Sequence, residues 1–232
     1  MCGRLTLQTT SGALAALFDG LKFPTFKPRY NICPTQPVAC VRLNDESEKE
    51  VANLRWGLVP GWAKDLKIGA RMINARAETV ASKPAFRSAF KKRRCLVVAD
   101  GFYEWKKAGK SKQPFYISRA DTQPFVMAGL WESWSDKSDP SADPIETCSV
   151  ITTTANALMG PLHDRMPVIL EQKEFEFWLD KEFTDHEYLE SLLVPFEPDE
   201  LQAFPVDTIV NKAANDVPQC IEPIDPQANL LF

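Results

Sequence analysis

Four residues of this 232-residue chain carry the groups best suited to covalent or proton-transfer chemistry: Cys2, Asn74, Glu104 and His163. Cys2 follows Met1, and a side chain as small as Cys normally lets an initiator Met be removed. The terminus would then hold an α-amine and a thiol on neighbouring carbons, a pairing that no internal cysteine can offer. The amine, with a pKa of roughly 7.7 to 8, is partly neutral at physiological pH and can attack a carbonyl. The sulfur can then close a five-membered ring on the same carbon. Such a terminus can trap an aldehyde or act as an N-terminal nucleophile. In a purely structural role, Cys2 would be a small apolar residue leading into the first strand.

Glu104 lies in Ala99-Asp100-Gly101-Phe102-Tyr103-Glu104-Trp105, among three aromatic residues. A carboxyl group set among apolar rings resists ionisation, which moves its pKa toward the range useful for proton transfer. On the outer face of a strand it would instead be an ordinary solvated acid. Asn74, in Met72-Ile73-Asn74-Ala75-Arg76-Ala77-Glu78-Thr79, lies between an aliphatic pair and a capping-type sequence, where in a purely structural role it would be a turn or helix-entry residue. His163 stands in a Gly/Pro-bounded segment before an aliphatic run, where it can serve as general acid or base or merely bond to a loop backbone. His186, in an acidic stretch, reads as surface.

The elements that must position these groups are mostly strands. Residues 4–9 alternate as a strand does, and Ser11 is placed to cap a short helix carrying Leu14, Leu17 and Phe18. Residues 38–43 and 51–56 read as a strand pair joined by the acidic turn 44–50. Residues 94–99, 114–119, 125–131 and 148–153 are further β-rich runs bounded by turn signals. Residues 171–179 and 185–193 carry Phe175, Trp178, Leu189 and Leu192 at helical core spacing. The polar stretch 135–144 reads as a surface loop rather than a domain boundary. Strands in the middle with helices toward the ends predict an α+β fold. The expected architecture is a single compact domain over 1–232, with a curled, barrel-like mixed β-sheet flanked by helices.

Composition narrows the function classes. Hydrophobic content of 44% with 25% charged residues is ordinary for a globular protein. No apolar run approaches the roughly 20 residues that span a bilayer, and no charged-then-apolar leader is visible. The expectation is a cytoplasmic protein with no membrane role. The six cysteines (2, 33, 40, 95, 148, 220) form no CxxC pair, so reduced thiols without a metal site are expected. Net charge is −4, but residues 63–112 hold fourteen Lys or Arg against four acids, while 171–232 hold three Lys against fifteen acids. One basic and one acidic surface are implied, and a basic surface attracts phosphates. The run Lys91-Lys92-Arg93-Arg94 is one candidate phosphate contact. The aromatic turn Trp56-Gly57-Leu58-Val59-Pro60-Gly61-Trp62 beside this segment could stack on an unpaired base or plug the core.

Ordered blocks of these residues resemble one family, the SRAP (SOS response-associated peptidase) proteins. They are Cys2-Gly3-Arg4, Arg29-Tyr30-Asn31 with Pro34, Trp56-Gly57-Leu58-Val59-Pro60, and Ile73-Asn74-Ala75-Arg76 with Glu78-Thr79. Arg94-Cys95, the 99–105 run, Ile151-Thr152-Thr153 and His163-Asp164-Arg165-Met166-Pro167 continue the series. The motifs cover about 2–170, and the helical, acidic part 171–232 carries weaker marks. The resemblance implies a monomer, without cofactor, that crosslinks covalently to abasic sites in single-stranded DNA. It would then be nucleoid-associated when bound. Cys2 would form a Schiff base and then a thiazolidine at C1′, shielding the lesion. Asn74 would orient the terminus, Glu104 would move protons and assist removal of residues preceding Cys2, and His163 would assist sugar opening and crosslink release. By the same resemblance, Gly3, Arg4, Asn31, Pro34, Arg76, Thr152 and Arg165 would lie along the DNA. Trp62 would form part of an aromatic wedge in which some relatives carry a second Trp where this chain has Ala63.

Two rival functions remain open at this level. An N-terminal cysteine amidohydrolase explains Cys2, Asn74 and self-processing, and predicts turnover of a small amide regardless of DNA. A non-catalytic nucleic-acid module predicts that Cys2→Ala binds normally with a steep salt dependence.

Overall fold

β-Branched and aromatic residues crowd the centre of the chain, and the central strands they form are buried on both faces. The computed structural model describes residues 2–109 and 111–224. In chain order its strands are β1 (Leu5–Leu7), β2 (Arg29–Ile32), β3 (Pro37–Leu43), β4 (Lys49–Trp56), β5 (Asn74–Arg76), β6 (Arg94–Ala99) and β7 (Gly101–Ala108). There follow β8 (Ser111–Arg119), β9 (Phe125–Trp134), β10 (Ile145–Thr154), β11 (Arg165–Pro167), β12 (Ile169–Leu170) and β13 (Leu201–Pro205).

Five of these strands close into a barrel. β10 pairs with both β4 and β9, β9 with β6, β6 with β3, and β3 with β4. The β10–β4 pair is parallel and the others are antiparallel, so the barrel is mixed. β5 and β11 extend it beside β10, and β12 beside β9. A second, antiparallel sheet runs in the order β13-β8-β7-β1-β2. Trp56, Leu54, Leu96, Met127, Leu130 and Ile151 are fully buried and contribute to the main core. Helices are few and short: α1 (Ser11–Leu17), α2 (Arg87–Lys92), α3 (Phe175–Leu179) and α4 (His186–Ser191). The fold is therefore α+β with a closed barrel, as the strand-rich middle predicts. Among the described residues no helix is long and apolar enough to cross a membrane.

Several local expectations need correction. The cap of α1 is Thr10, whose backbone is extended and whose Oγ1 accepts the Ala13 N–H at 3.4 Å. Ser11 instead donates to the Pro24 carbonyl at 2.8 Å. The helix expected over 171–179 divides into a 3-10 turn (Gln172–Glu174) and α3. Of the basic run 91–94, Arg94 is buried and donates to the carbonyls of Phe90, Lys91, Trp178 and Asp180. It joins α2 to α3, and burial draws its pKa down to about 10 against the opposing pull of Asp180. Arg93 pairs with Glu132, so Lys91 and Lys92 are the exposed cations of that run.

The acidic C-terminal part is also more than a solvated face. Asp216 accepts from Arg29 Nε and from the backbone N–H groups of Tyr30 and Asn31. Asn31 in turn donates to the carbonyls of Val210, Lys212 and Asn215. These bonds strap residues 207–224 across β2, next to the segment that carries Cys2.

Candidate active site

Register brings the first pair of groups together. β1 runs antiparallel to β7 with Leu5 opposite Phe102, and Tyr103 N–H donates to the Arg4 carbonyl at 3.1 Å. Continuing that ladder carries Glu104 alongside the Cys2–Gly3 segment. Cys2 is fully buried and Glu104 is 3% exposed. Burial and, second, the Glu104 carboxylate push the Cys2 thiol well above its ordinary pKa. Burial likewise raises Glu104, while His163 pulls it back toward ionisation. The resting state is thus a protonated thiol beside a carboxyl group poised to exchange a proton.

Asn74 reaches the same point from β5, which lies parallel to β10 with Asn74 opposite Val150 and Arg76 opposite Thr152. Its Nδ2 donates to the Cys2 carbonyl at 2.7 Å, and its Oδ1 is buried with no hydrogen-bond partner among the described residues. The approach of β5 depends on a close backbone crossing. Gly57 has φ of +128°, and a Cβ there would stand 2.6 Å from the Gly69 carbonyl oxygen. Only glycine meets both demands. Trp56 completes the junction by donating its indole N–H to the Ile73 carbonyl at 2.9 Å.

His163 arrives on the loop before β11. Its Nδ1 accepts the Arg165 N–H at 3.0 Å, and its field reaches Glu104. Cys2, Asn74, Glu104 and His163 therefore converge from four separate parts of the chain. The combination offers a buried sulfur, a fixed amide and a proton exchanger at one edge of the barrel.

The remaining predicted residues divide by exposure. Trp62 is 56% exposed, and exposed Lys64, Lys67, Arg71 and Arg76 follow it along the path to Asn74. Ala63 points inward beside Val59 and Trp134, with Trp134 Nε1 donating to its carbonyl at 2.8 Å. The missing second Trp thus corresponds to a small slot in a side core, and one ring stands clear. Trp56, at the other end of the same turn, is a core plug. Pro34 is half-buried. Arg4 donates to Asn31 Oδ1 at 2.5 Å and to the Val210 carbonyl at 2.7 Å, and lies over the Trp105 ring. Asn31 is fully buried with its amide spent on the C-terminal strap. Thr152 is buried, its hydroxyl directed to the Ala75 carbonyl at 3.3 Å. Arg165 is clamped by Glu78, which was not among the residues singled out for the site from sequence. The two lie 87 positions apart, and only the pairing of β5 and β11 on either side of β10 joins them.

Comparison with known proteins identifies the family and the fold. A model of the SOS response associated peptidase (SRAP) family matches residues 1–213. The chain is 43% identical over 226 residues to the abasic site processing protein YoqW of Bacillus subtilis, covering 96% of this chain and 99% of that protein. It is 32% identical over 237 residues to the abasic site processing protein HMCES of Gallus gallus, covering 89% of this chain and 69% of that protein. A crystal structure of a Bacteroides thetaiotaomicron protein superposes with a TM-score of 0.85 at 30% identity, covering 97% of this chain and all of that one.

Proposed function

The chain belongs to the SOS response-associated peptidase (SRAP) family, and we propose that it captures abasic sites in single-stranded DNA through Cys2. Relatives named abasic site processing proteins support the substrate class. The observation that carries the chemistry is the Asn74 amide on the Cys2 carbonyl at 2.7 Å, with Glu104 close enough to act on the Cys2 thiol.

Hydrolysis of the Met1–Cys2 peptide bond frees the α-amine, and Glu104 is the group available to transfer the proton. The amine then adds to the C1′ aldehyde of the opened sugar, and the resulting carbinolamine loses water to give an imine. Because burial keeps the thiol protonated, the amine acts first and sulfur second. The S–C1′ bond forms as the thiol proton passes, by way of Glu104, to the imine nitrogen. The product is a thiazolidine equal in mass to protein plus DNA minus one water. Asn74 holds the terminus in place throughout, and the exposed Trp62 and its neighbouring cations offer a stacking and phosphate surface for the unpaired strand.

Intact mass spectrometry after incubation with a single-stranded oligonucleotide carrying one abasic site tests this reading. The expected product is a Met1-free protein that gains the oligonucleotide less one water and survives heat and denaturant. A Met1-free protein that gains nothing, yet hydrolyses a small amide, would replace it with the amidohydrolase. Residues added before Met1 should block the adduct until they are removed.

A further inference from the structure

The imidazole of His163 receives two contradictory requests at one atom. The Arg165 backbone N–H donates to Nδ1 at 3.0 Å, which needs a lone pair there. Asp164 Oδ1 stands 2.7 Å from the same Nδ1, which needs a proton there. The two partners differ in freedom. Asp164 has a side chain 86% exposed and can turn its carboxylate into water. A backbone N–H cannot shed its hydrogen, and this one belongs to β11, where Arg165 pairs with Thr154. The backbone request prevails, so the ring proton resides on Nε2.

Beyond this strand pairing, the Arg165 side chain is anchored as well. It is 11% exposed and folds back across β10, with Nη1 and Nη2 on the two Glu78 oxygens at 2.5 and 3.0 Å. Nη2 also reaches the Thr152 carbonyl. Glu78 stands on the 3-10 turn Ala77–Thr79 directly after β5, the strand that carries Asn74. A bidentate Arg–carboxylate fork fixes direction as well as distance.

We propose that Glu78 is a positioning residue: by clamping Arg165 it fixes the backbone that holds the His163 proton on Nε2. His163 then meets a sugar oxygen as a hydrogen-bond donor, while the Asn74 strand and the His163 loop are tied by one ion pair. The consequence for substrate rests on the function proposed above, but the tautomer does not. Charged groups facing the ring include Asp164 on its own loop and Glu104 from β7, while Arg165 meets it through its backbone N–H.

Long-range 1H–15N correlation on histidine-labelled protein without DNA reads the two ring nitrogens directly, and His186 is the only other histidine. At a pH where the ring is neutral, wild type should give a single Nε2–H signature for His163. Glu78→Gln and Glu78→Ala should shift it toward an average of both tautomers, leaving His186 unmoved, whereas Asp164→Asn should leave the Nε2–H signature intact. A wild-type Nδ1–H signature, or an unchanged His163 in both Glu78 variants, overturns the proposal. So does loss of the folded spectrum in both, which would make Glu78 a general structural residue. Failure of wild type to form a DNA adduct would instead overturn the functional reading and leave the nitrogen spectra as they stand.

Discussion

Cys2 and the barrel thiols Cys40, Cys95 and Cys148 are equally buried, yet their surroundings differ. Cys40 lies near the Cys148 and Cys95 thiols in the interior, with Val97 across the ladder. Burial is the leading influence on all three and opposes their ionisation, pushing Cys95 and Cys148 well up. A Cβ at Gly129 would stand 2.9 Å from the Cys95 sulfur, so the missing side chain there makes room for the thiol. Cys2 instead has a carboxyl group beside it and an amide fixed on its carbonyl. Burial is common to all four sulfurs and so does not by itself set Cys2 apart; under the function proposed above, the neighbouring carboxyl group and a freed α-amine do.

Substitutions can break or sharpen that contrast. Cys2→Ser should abolish the heat-stable adduct altogether, since an oxygen ring reopens far more readily than thiazolidine. A durable Ser adduct, seen by denaturing electrophoresis, would refute ring closure through sulfur. Glu104→Gln should slow adduct formation by about 10²- to 10⁴-fold, the usual worth of a general acid–base group, with DNA affinity retained in a binding titration.

The same variant has a signature in stability. Because burial raises the Glu104 pKa, the folded chain holds its proton where the unfolded chain has released it. Wild-type stability therefore falls as pH rises from the ordinary Glu value of about 4.3 through the folded pKa. The gain from Gln should be absent below that window and complete above it, measurable by denaturant midpoints across pH.

Trp62→Ala should weaken single-strand binding by about 1–3 kcal/mol, the range for one stacked base, while leaving the rate at saturating DNA near wild type. Cys40→Ala should have the smallest effect on chemistry. Its cost should be about 1 kcal/mol of stability from a small core cavity, with adduct yield unchanged. An adduct defect in Cys40→Ala at a temperature where the protein is folded would erase the distinction between the two regions.

Much of the fold was legible because β-branched and apolar runs bounded by turn residues mark strands locally. Residues 38–43 and 94–99 form strands almost to the residue, and the runs at 114, 125 and 148 are parts of longer ones. β7 was harder to see, because it begins with Gly and ends in Lys106, Lys107 and Ala108, which diffuses its pattern. β2 and β13 are short and derive their stability from partners distant in sequence. Thr10 displaced Ser11 as cap because capping depends on which residue leaves the extended backbone, a matter of one dihedral pair.

The sequence by itself determined the candidate groups: a cysteine at position 2, a carboxylate among aromatics, and a histidine between Gly and Pro turns. Covalent identity and local polarity decide these, and both are written residue by residue. Only the tertiary structure decided their relations. Asn74 faces the Cys2 carbonyl across 72 positions, Asn31 binds the C-terminal strap, and Glu78 holds Arg165. Each is a pairing set by barrel closure and strand register, and register belongs to the assembled sheet rather than to any one strand.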